Sequence, residues 1–149
     1  MAQVRIPQVA EPLLPFCKPW AGRLANACFS TYAELMIFAA GCGFRDLEGG
    51  KAPQCVAFTE GRQPNPIDFG VFKSESQQVY PLLLMLGLAT LKKHEAVRDE
   101  ERLAKMVEDY AAVGLKVLTK LLENSTPEGF HVELAQLLLE ACDKPHKKS

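Results

Sequence analysis

The stretch Ser30 to Phe44, S-T-Y-A-E-L-M-I-F-A-A-G-C-G-F, carries the start signal, body and stop signal of one helix. Thr31 followed by Glu34 fits a capping box, in which the hydroxyl takes a free N–H of the first turn and the carboxylate reaches back to the cap. Leu35, Phe38, Ala39 and Cys42 then fall on one face at i, i+3, i+4, i+7. Gly41 and Gly43 are expected to supply the positive φ of the ending, with Phe44 folding back over the last turn. The pattern predicts a buried helix over 30–42. Such a helix needs partners, and the second half of the chain supplies them.

Gln77 to Leu91 is apolar nearly all round, which predicts a helix over 78–92 at the centre of a bundle, with Pro81 in its first turn. Lys92, Lys93 and His94 close it with charge that suits the negative end of a helix dipole. Asp99 is a good cap for a long helix over 99–123. Its packing stripe is Leu103, Val107, Tyr110, Gly114, Val117 or Leu118, and Leu121, while Glu100, Glu101, Lys105, Glu108, Asp109, Lys116 and Lys120 are expected to face outward. Thr126 and Pro127 open a last helix over 127–142 with Phe130, Leu134, Leu137, Leu138 and Ala141 inward. Gly87 and Gly114 interrupt these segments although glycine costs about 1 kcal/mol against alanine in a helix. Each is therefore expected at a close helix crossing, and one crossing between Gln77–Leu91 and Asp99–Glu123 would serve both.

The first half is less regular. Gln3 to Ile6 alternates, with Val4 and Ile6 on one side and Gln3 and Arg5 on the other, the period of a short strand. Pro7, Pro12, Pro15 and Pro19 delay any long helix until about Lys18, and a short helix over 18–29 burying Trp20, Leu24 and Cys28 follows. Strand, helix, capped helix is also the order of a ribbon-helix-helix unit, whose paired strands enter the DNA major groove. Arg5 alone is basic on that strand, however, and prolines crowd the first helix, so a strand or arm tucked against the core is the preferred reading. In the turn-rich segment 45–69, Cys55 to Thr59 and Phe69 to Lys73 are expected as two short strands of a small ribbon. Together these readings give a mainly α, single-domain bundle over 1–149 of about five helices and a few short strands, with an N-terminal arm over 1–17 and a basic tail over 143–149.

An apolar fraction of 48% against 23% charged suits a globular chain, and a net charge of −1 offers phosphate backbones no global attraction. Cys17, Cys28, Cys42, Cys55 and Cys142 are odd in number and form no C-x-x-C, which predicts reduced thiols and a cytoplasmic protein. Arg5 followed by Pro7, Pro12 and Pro15 without an apolar run predicts no secretory signal, and no segment reaches the ~20 apolar residues of a membrane span. His94, His131 and His146 lie far apart outside any ligand spacing, so neither metal nor cofactor is expected. Cys42 sits towards the negative end of its helix, where a thiolate is not activated. The neighbouring carboxylates Glu100-Glu101 and Glu108-Asp109 diverge by about 100° around a helix and read as a solvated face. No catalytic residue is assigned.

Four blocks in order, Thr31-Tyr32-Ala33-Glu34-Leu35 with Phe38-Ala39-Ala40 and Gly43-Phe44, then Pro66-Ile67 with Phe72, then Leu82 to Ala89, then Glu108-Asp109-Tyr110-Ala111 with Gly114-Leu115 and Val117-Leu118, resemble the small Dnd system-associated proteins over about residues 28–123. These are accessory proteins encoded beside bacterial DNA phosphorothioation genes and related antiphage restriction modules. The resemblance implies a role in defence by phosphorothioate-linked DNA modification or restriction and brings no catalytic residues with it; a non-enzymatic accessory module that docks on a larger protein is the preferred reading. The expected partners are a larger protein of the same defence system and, weakly and non-specifically, DNA, with a homodimer left open and no membrane contact. The alternative is a DNA-binding regulator or DNA-recruiting subunit with a ribbon-helix-helix-like N-terminal region, whose candidate DNA contacts are Arg5, Arg23, Arg45, Lys51 and Arg62.

Overall fold

Thr31 caps its helix as expected, its Oγ1 accepting the Glu34 N–H at 3.1 Å. The helix it opens, α1, spans Tyr32–Asp46. The computed structural model describes residues 2–17, 29, 31–59, 66–74, 78–92, 98–123, 132–136 and 139. Outside these lie the helix expected over 18–29 apart from Phe29, the tail 143–149, and much of the helix expected over 127–142. Of that last helix, 132–136 are helical and Leu134 is buried.

The chain is mainly α, with one two-stranded sheet among the described residues. Strand β1, Gln3–Val4, pairs antiparallel with β2, Ile67–Asp68, in the register Gln3 to Asp68 and Val4 to Ile67. Val4 and Ile6 are buried while Gln3 and Arg5 stay outside, the alternation the sequence predicts. A ribbon-helix-helix unit would pair this strand with that of a second chain; here its partner is β2 of the same chain. A 3-10 helix over Gln8–Phe16 follows, not an α-helix, because Pro12 and Pro15 lack the N–H and clash with a preceding carbonyl in the α form. Its Ala10, Leu13, Leu14 and Phe16 are buried, so the N-terminal arm is part of the core.

Two further expectations change here. Phe69–Lys73 is the short helix α2, not a strand, and turns Phe69 and Phe72 inward. Cys55 to Thr59 is extended, but it runs beside the N-terminal arm: Thr59 donates to the Ile6 carbonyl at 2.9 Å and Gln8 to that of Ala57 at 3.0 Å. Its ribbon partner is therefore the arm, which the sequence separates from it by some fifty positions.

Helix α3, Tyr80–Leu91, has Pro81 in its first turn as predicted. It is not central. Only Leu83 and Gly87 are buried, and Leu82, Met85 and Leu88 stand on the surface. Helix α4, Glu100–Glu123, carries the expected Asp99 cap, whose Oδ1 accepts the Arg102 N–H at 3.3 Å, and runs for about 36 Å at 1.5 Å per residue. Leu103, Val107, Tyr110, Gly114 and Leu118 of its stripe are buried, and its main packing partner is α1.

Helix α1 passes through Gly41 and Gly43 instead of stopping there. The stop comes at Glu48 and Gly49, with φ of 53° and 81°, where Gly49 donates to the Phe44 carbonyl at 2.9 Å. Gly43 serves the crossing. A Cβ built on Gly114 would strike the Ala39 carbonyl oxygen and lie 2.9 Å from Gly43 N; one on Gly43 would strike the Tyr110 carbonyl oxygen and lie 3.0 Å from Gly114 N. The expected close approach at Gly114 is real, but its partner is α1, not Gly87 of α3.

Candidate functional site

Glu108, Asp109 and Tyr110 diverge around α4, and each takes hold of a different segment. Glu108 is 2% exposed, not outward as the sequence suggests. Its Oε2 accepts the Arg5 backbone N–H at 2.8 Å and Nε at 3.1 Å, and Oε1 accepts from a terminal guanidinium nitrogen at 3.0 Å. Arg5 also lies over the Phe58 ring at 3.9 Å, a cation–π contact that ties the arm to the 50–59 segment. The hydrogen bond to Glu108 raises the Arg5 pKa against the desolvation that lowers it, so the guanidinium is firmly charged.

Asp109 Oδ1 accepts the Cys55 N–H at 2.9 Å and Lys105 Nζ at 3.2 Å. Tyr110 donates its hydroxyl to the Gly50 carbonyl at 2.7 Å, and its ring meets Phe44 of α1 with centroids 5.9 Å apart. Burial raises the Tyr110 pKa, with the Ala52 backbone working against it. One turn of α4 thus clasps the arm, the loop after α1, and α1 itself. The expectation of a solvated acidic face holds at Glu101 and fails at Glu108 and Asp109, because long-range partners meet these two carboxylates and nothing in local spacing reports such partners.

Beside the clasp, a cleft of about 560 Å³ opens between the turn 49–52, the end of α3 and the first turns of α4. Lys51, Lys92, Arg102 and Lys105 contribute cations to its wall, and Glu101 and Asp109 carboxylates. Ala52, Leu91, Met106 and Tyr110 give it an apolar component. Lys92 caps the C-terminus of α3 in the left-handed conformation, φ 59°, its N–H donating to the Leu88 carbonyl at 3.1 Å.

Of the five candidate DNA contacts, Arg5, Arg45 and Lys51 fall among the described residues. Lys51 lines the cleft, whereas Arg5 is committed to Glu108 and Arg45 is exposed in the last turn of α1, and neither lines it. Arg23 and Arg62 lie outside the described residues. Lys92, Arg102 and Lys105 are the cations that sequence reasoning missed; the spacing of Arg102 and Lys105 on one helix face was visible, but the turn that brings Lys51 to them was not.

The thiols are consistent with a structural part. Cys17, Cys42 and Cys55 form no disulfide among the described residues, and burial pushes the Cys42 thiol up to about 11. Among the described residues, no helix is long and apolar enough to cross a membrane.

A second surface stands out on α3. Leu82, Met85 and Leu88 are 54%, 65% and 42% exposed and form one ridge at successive spacings of three.

A family described as DNA sulphur modification system-associated protein 4 matches residues 4–148, which extends the resemblance of the four blocks to nearly the whole chain. No curated protein and no solved structure matches.

Proposed function

Because the chain belongs to the family of DNA sulphur modification system-associated protein 4, we propose that it serves such a system as a non-enzymatic accessory protein that docks on a larger protein of the same system. The observation that carries this reading is the Leu82, Met85, Leu88 ridge. Three large apolar side chains in a row on one surface helix are costly to leave in water, and burying the roughly half of each that is exposed is worth about 1 kcal/mol apiece. A partner groove that accepts a helix by anchors spaced three apart fits that pattern. The non-enzymatic part draws support from the groups that would otherwise be candidates for chemistry. Cys42 is protonated at neutral pH, and Glu108 and Asp109 are engaged in holding segments together.

A second reading, direct contact with DNA, is favoured by the cations of the cleft. It differs from the ribbon-helix-helix reading, since β1 is paired within the chain and Arg5 is held by Glu108.

The test is co-purification of the tagged chain from a host that carries a DNA sulphur modification gene cluster. A larger protein encoded in that cluster should be recovered in near-stoichiometric amount after nuclease treatment. Recovery of the chain alone would contradict docking.

A further inference from the structure

The cleft beside the clasp carries more charge of one sign than the chain around it. Four cationic side chains, Lys51, Lys92, Arg102 and Lys105, face two carboxylates, Glu101 and Asp109, a local surplus of two positive charges in a chain of net charge −1. Asp109 is already satisfied by Lys105 and by the Cys55 N–H. That leaves Lys51, Lys92 and Arg102 around Glu101, and among the described residues none of these three makes an ion pair. The backbone of the neighbouring turn does not supply the donors: the N–H groups of Glu48, Gly49 and Gly50 are spent on the carbonyls of Arg45, Phe44 and Leu47. The side chains of Lys51, Lys92 and Arg102 are thus the cations the cleft has to offer an anion.

Lys92 adds an independent indication. It occupies a left-handed position at the end of α3, where glycine or asparagine is usual and a lysine is disfavoured. Helix termination alone would be served better by either. Lys92 is also among the residues that line the cleft, as is Arg102 of α4. The Lys92 charge suits the negative end of the α3 dipole, and the same residue lines the cleft.

We propose that this cleft is a binding site for a nucleotide phosphate group, either in a DNA backbone or on a free nucleotide, with Lys51, Lys92 and Arg102 as its ligands. Arg102 brings a planar fork suited to two phosphate oxygens, and the two lysines bring mobile point charges from the other walls. The volume of about 560 Å³ lies within the range of small-molecule sites and accommodates a phosphate with an attached sugar and base against Leu91 and Met106. Nucleotide as the ligand class rests on the chain's association with a DNA sulphur modification system, whereas the anion preference rests on the cleft alone. Since the purified chain suffices for the test, the result does not depend on whether a protein partner exists.

The experiment measures binding of the full chain to a short labelled duplex, the matching single strand, a nucleoside monophosphate and inorganic phosphate, each across a salt series. The variants are Lys51→Ala with Arg102→Ala, Lys92→Asn alone, and the three together, with Lys116→Ala/Lys120→Ala on the exposed side of α4 as the charge control. The triple variant should weaken binding by about tenfold or more and flatten the salt dependence by roughly two to three units of slope for duplex DNA, while the control stays within about twofold. Binding to the strands but not to the monophosphate identifies the source as a DNA backbone, and binding to the monophosphate as well identifies a nucleotide site. Lys92→Asn has a signature that a structural residue would not give, because asparagine tolerates the left-handed conformation better: its melting temperature should rise while its binding falls. The proposal is overturned by a wild-type chain that binds none of these at low salt, by equal losses in the triple and control variants, or by undiminished binding in Lys92→Asn.

Discussion

Gly43 and Gly114 meet backbone to backbone where α1 crosses α4, each occupying space that a Cβ on the other would need. Alanine at Gly114 would place its methyl against the Ala39 carbonyl carbon at 2.6 Å, so the two helices cannot stay where they are. Helix propensity favours Gly114→Ala by about 1 kcal/mol, but overpacking costs typically 1–3 kcal/mol and more when backbone must shift. Packing should win. Gly114→Ala is expected to lower stability by ~1–3 kcal/mol and Gly114→Leu by more, read as a lower midpoint in urea. Gly41→Ala, at a position with nothing within 4 Å, should instead be neutral or stabilising.

The Arg5 and Glu108 pair should behave as a unit. Removing Arg5 leaves a buried carboxylate with fewer donors, and removing Glu108 leaves a guanidinium that is half exposed and can rehydrate. Arg5→Met is therefore expected to cost more than Glu108→Met, with each single change in the range of about 1–3 kcal/mol after allowing for solvent screening on the arginine side. A double-mutant cycle should return a coupling of about 1 kcal/mol or more. Additive losses would mean that the ion pair contributes nothing beyond its separate packing.

Much of this architecture was legible. Thr31, Pro81 and Asp99 act within a turn of themselves, and each stands where a local rule places it. The stripe of α4 was readable for the same reason, since period and burial coincide in a helix with one wet face. What escaped was long-range. Glu108 resembles its solvated neighbours in sequence and differs only because Arg5, a hundred residues away, arrives beside it. Gly43 looks like a helix stop in sequence, but its task is contact with α4, and α1 runs on to Asp46. Helix α3 shows the converse: an all-apolar segment implies burial on every side, yet Leu82, Met85 and Leu88 remain outside. The cleft depends on three separated segments and left no signature in any one of them.

Tyr110 holds the turn after α1 through its hydroxyl, which donates to the Gly50 carbonyl. Tyr110→Phe keeps the ring against Phe44 and removes that bond, which should cost about 1 kcal/mol overall. The larger effect should be local. Limited proteolysis is expected to cut the 47–53 segment faster in Tyr110→Phe than in the wild type, and equal cutting rates would show that Asp109 and the Cys55 N–H hold the loop unaided.

Cys42 provides a pH test. Its thiol is raised from 9.0 to about 11 by burial, so in the folded chain it stays protonated where an unfolded thiol would ionise. At pH 8 its alkylation should run about 100-fold slower than that of an unperturbed thiol and rise about tenfold per pH unit towards pH 11. A raised pKa contributes stability that is complete below the unfolded value and lost as pH climbs through the folded one. Wild type should thus lose stability relative to Cys42→Ala between about pH 9 and pH 11, by about 2 kcal/mol. A constant difference across that window would show that the thiol is not desolvated.

The docking surface is tested most directly by light-scattering chromatography of the partner complex with Leu82→Gln/Met85→Gln/Leu88→Gln. These side chains are exposed, so the free variant should keep its helical signal and melt no lower than the wild type. Mixed with the larger system protein recovered by co-purification, the wild type should elute as a complex and the variant as two separate species. A variant that still co-elutes would contradict the account, because the ridge on Tyr80–Leu91 would then not be the surface by which the chain joins its system.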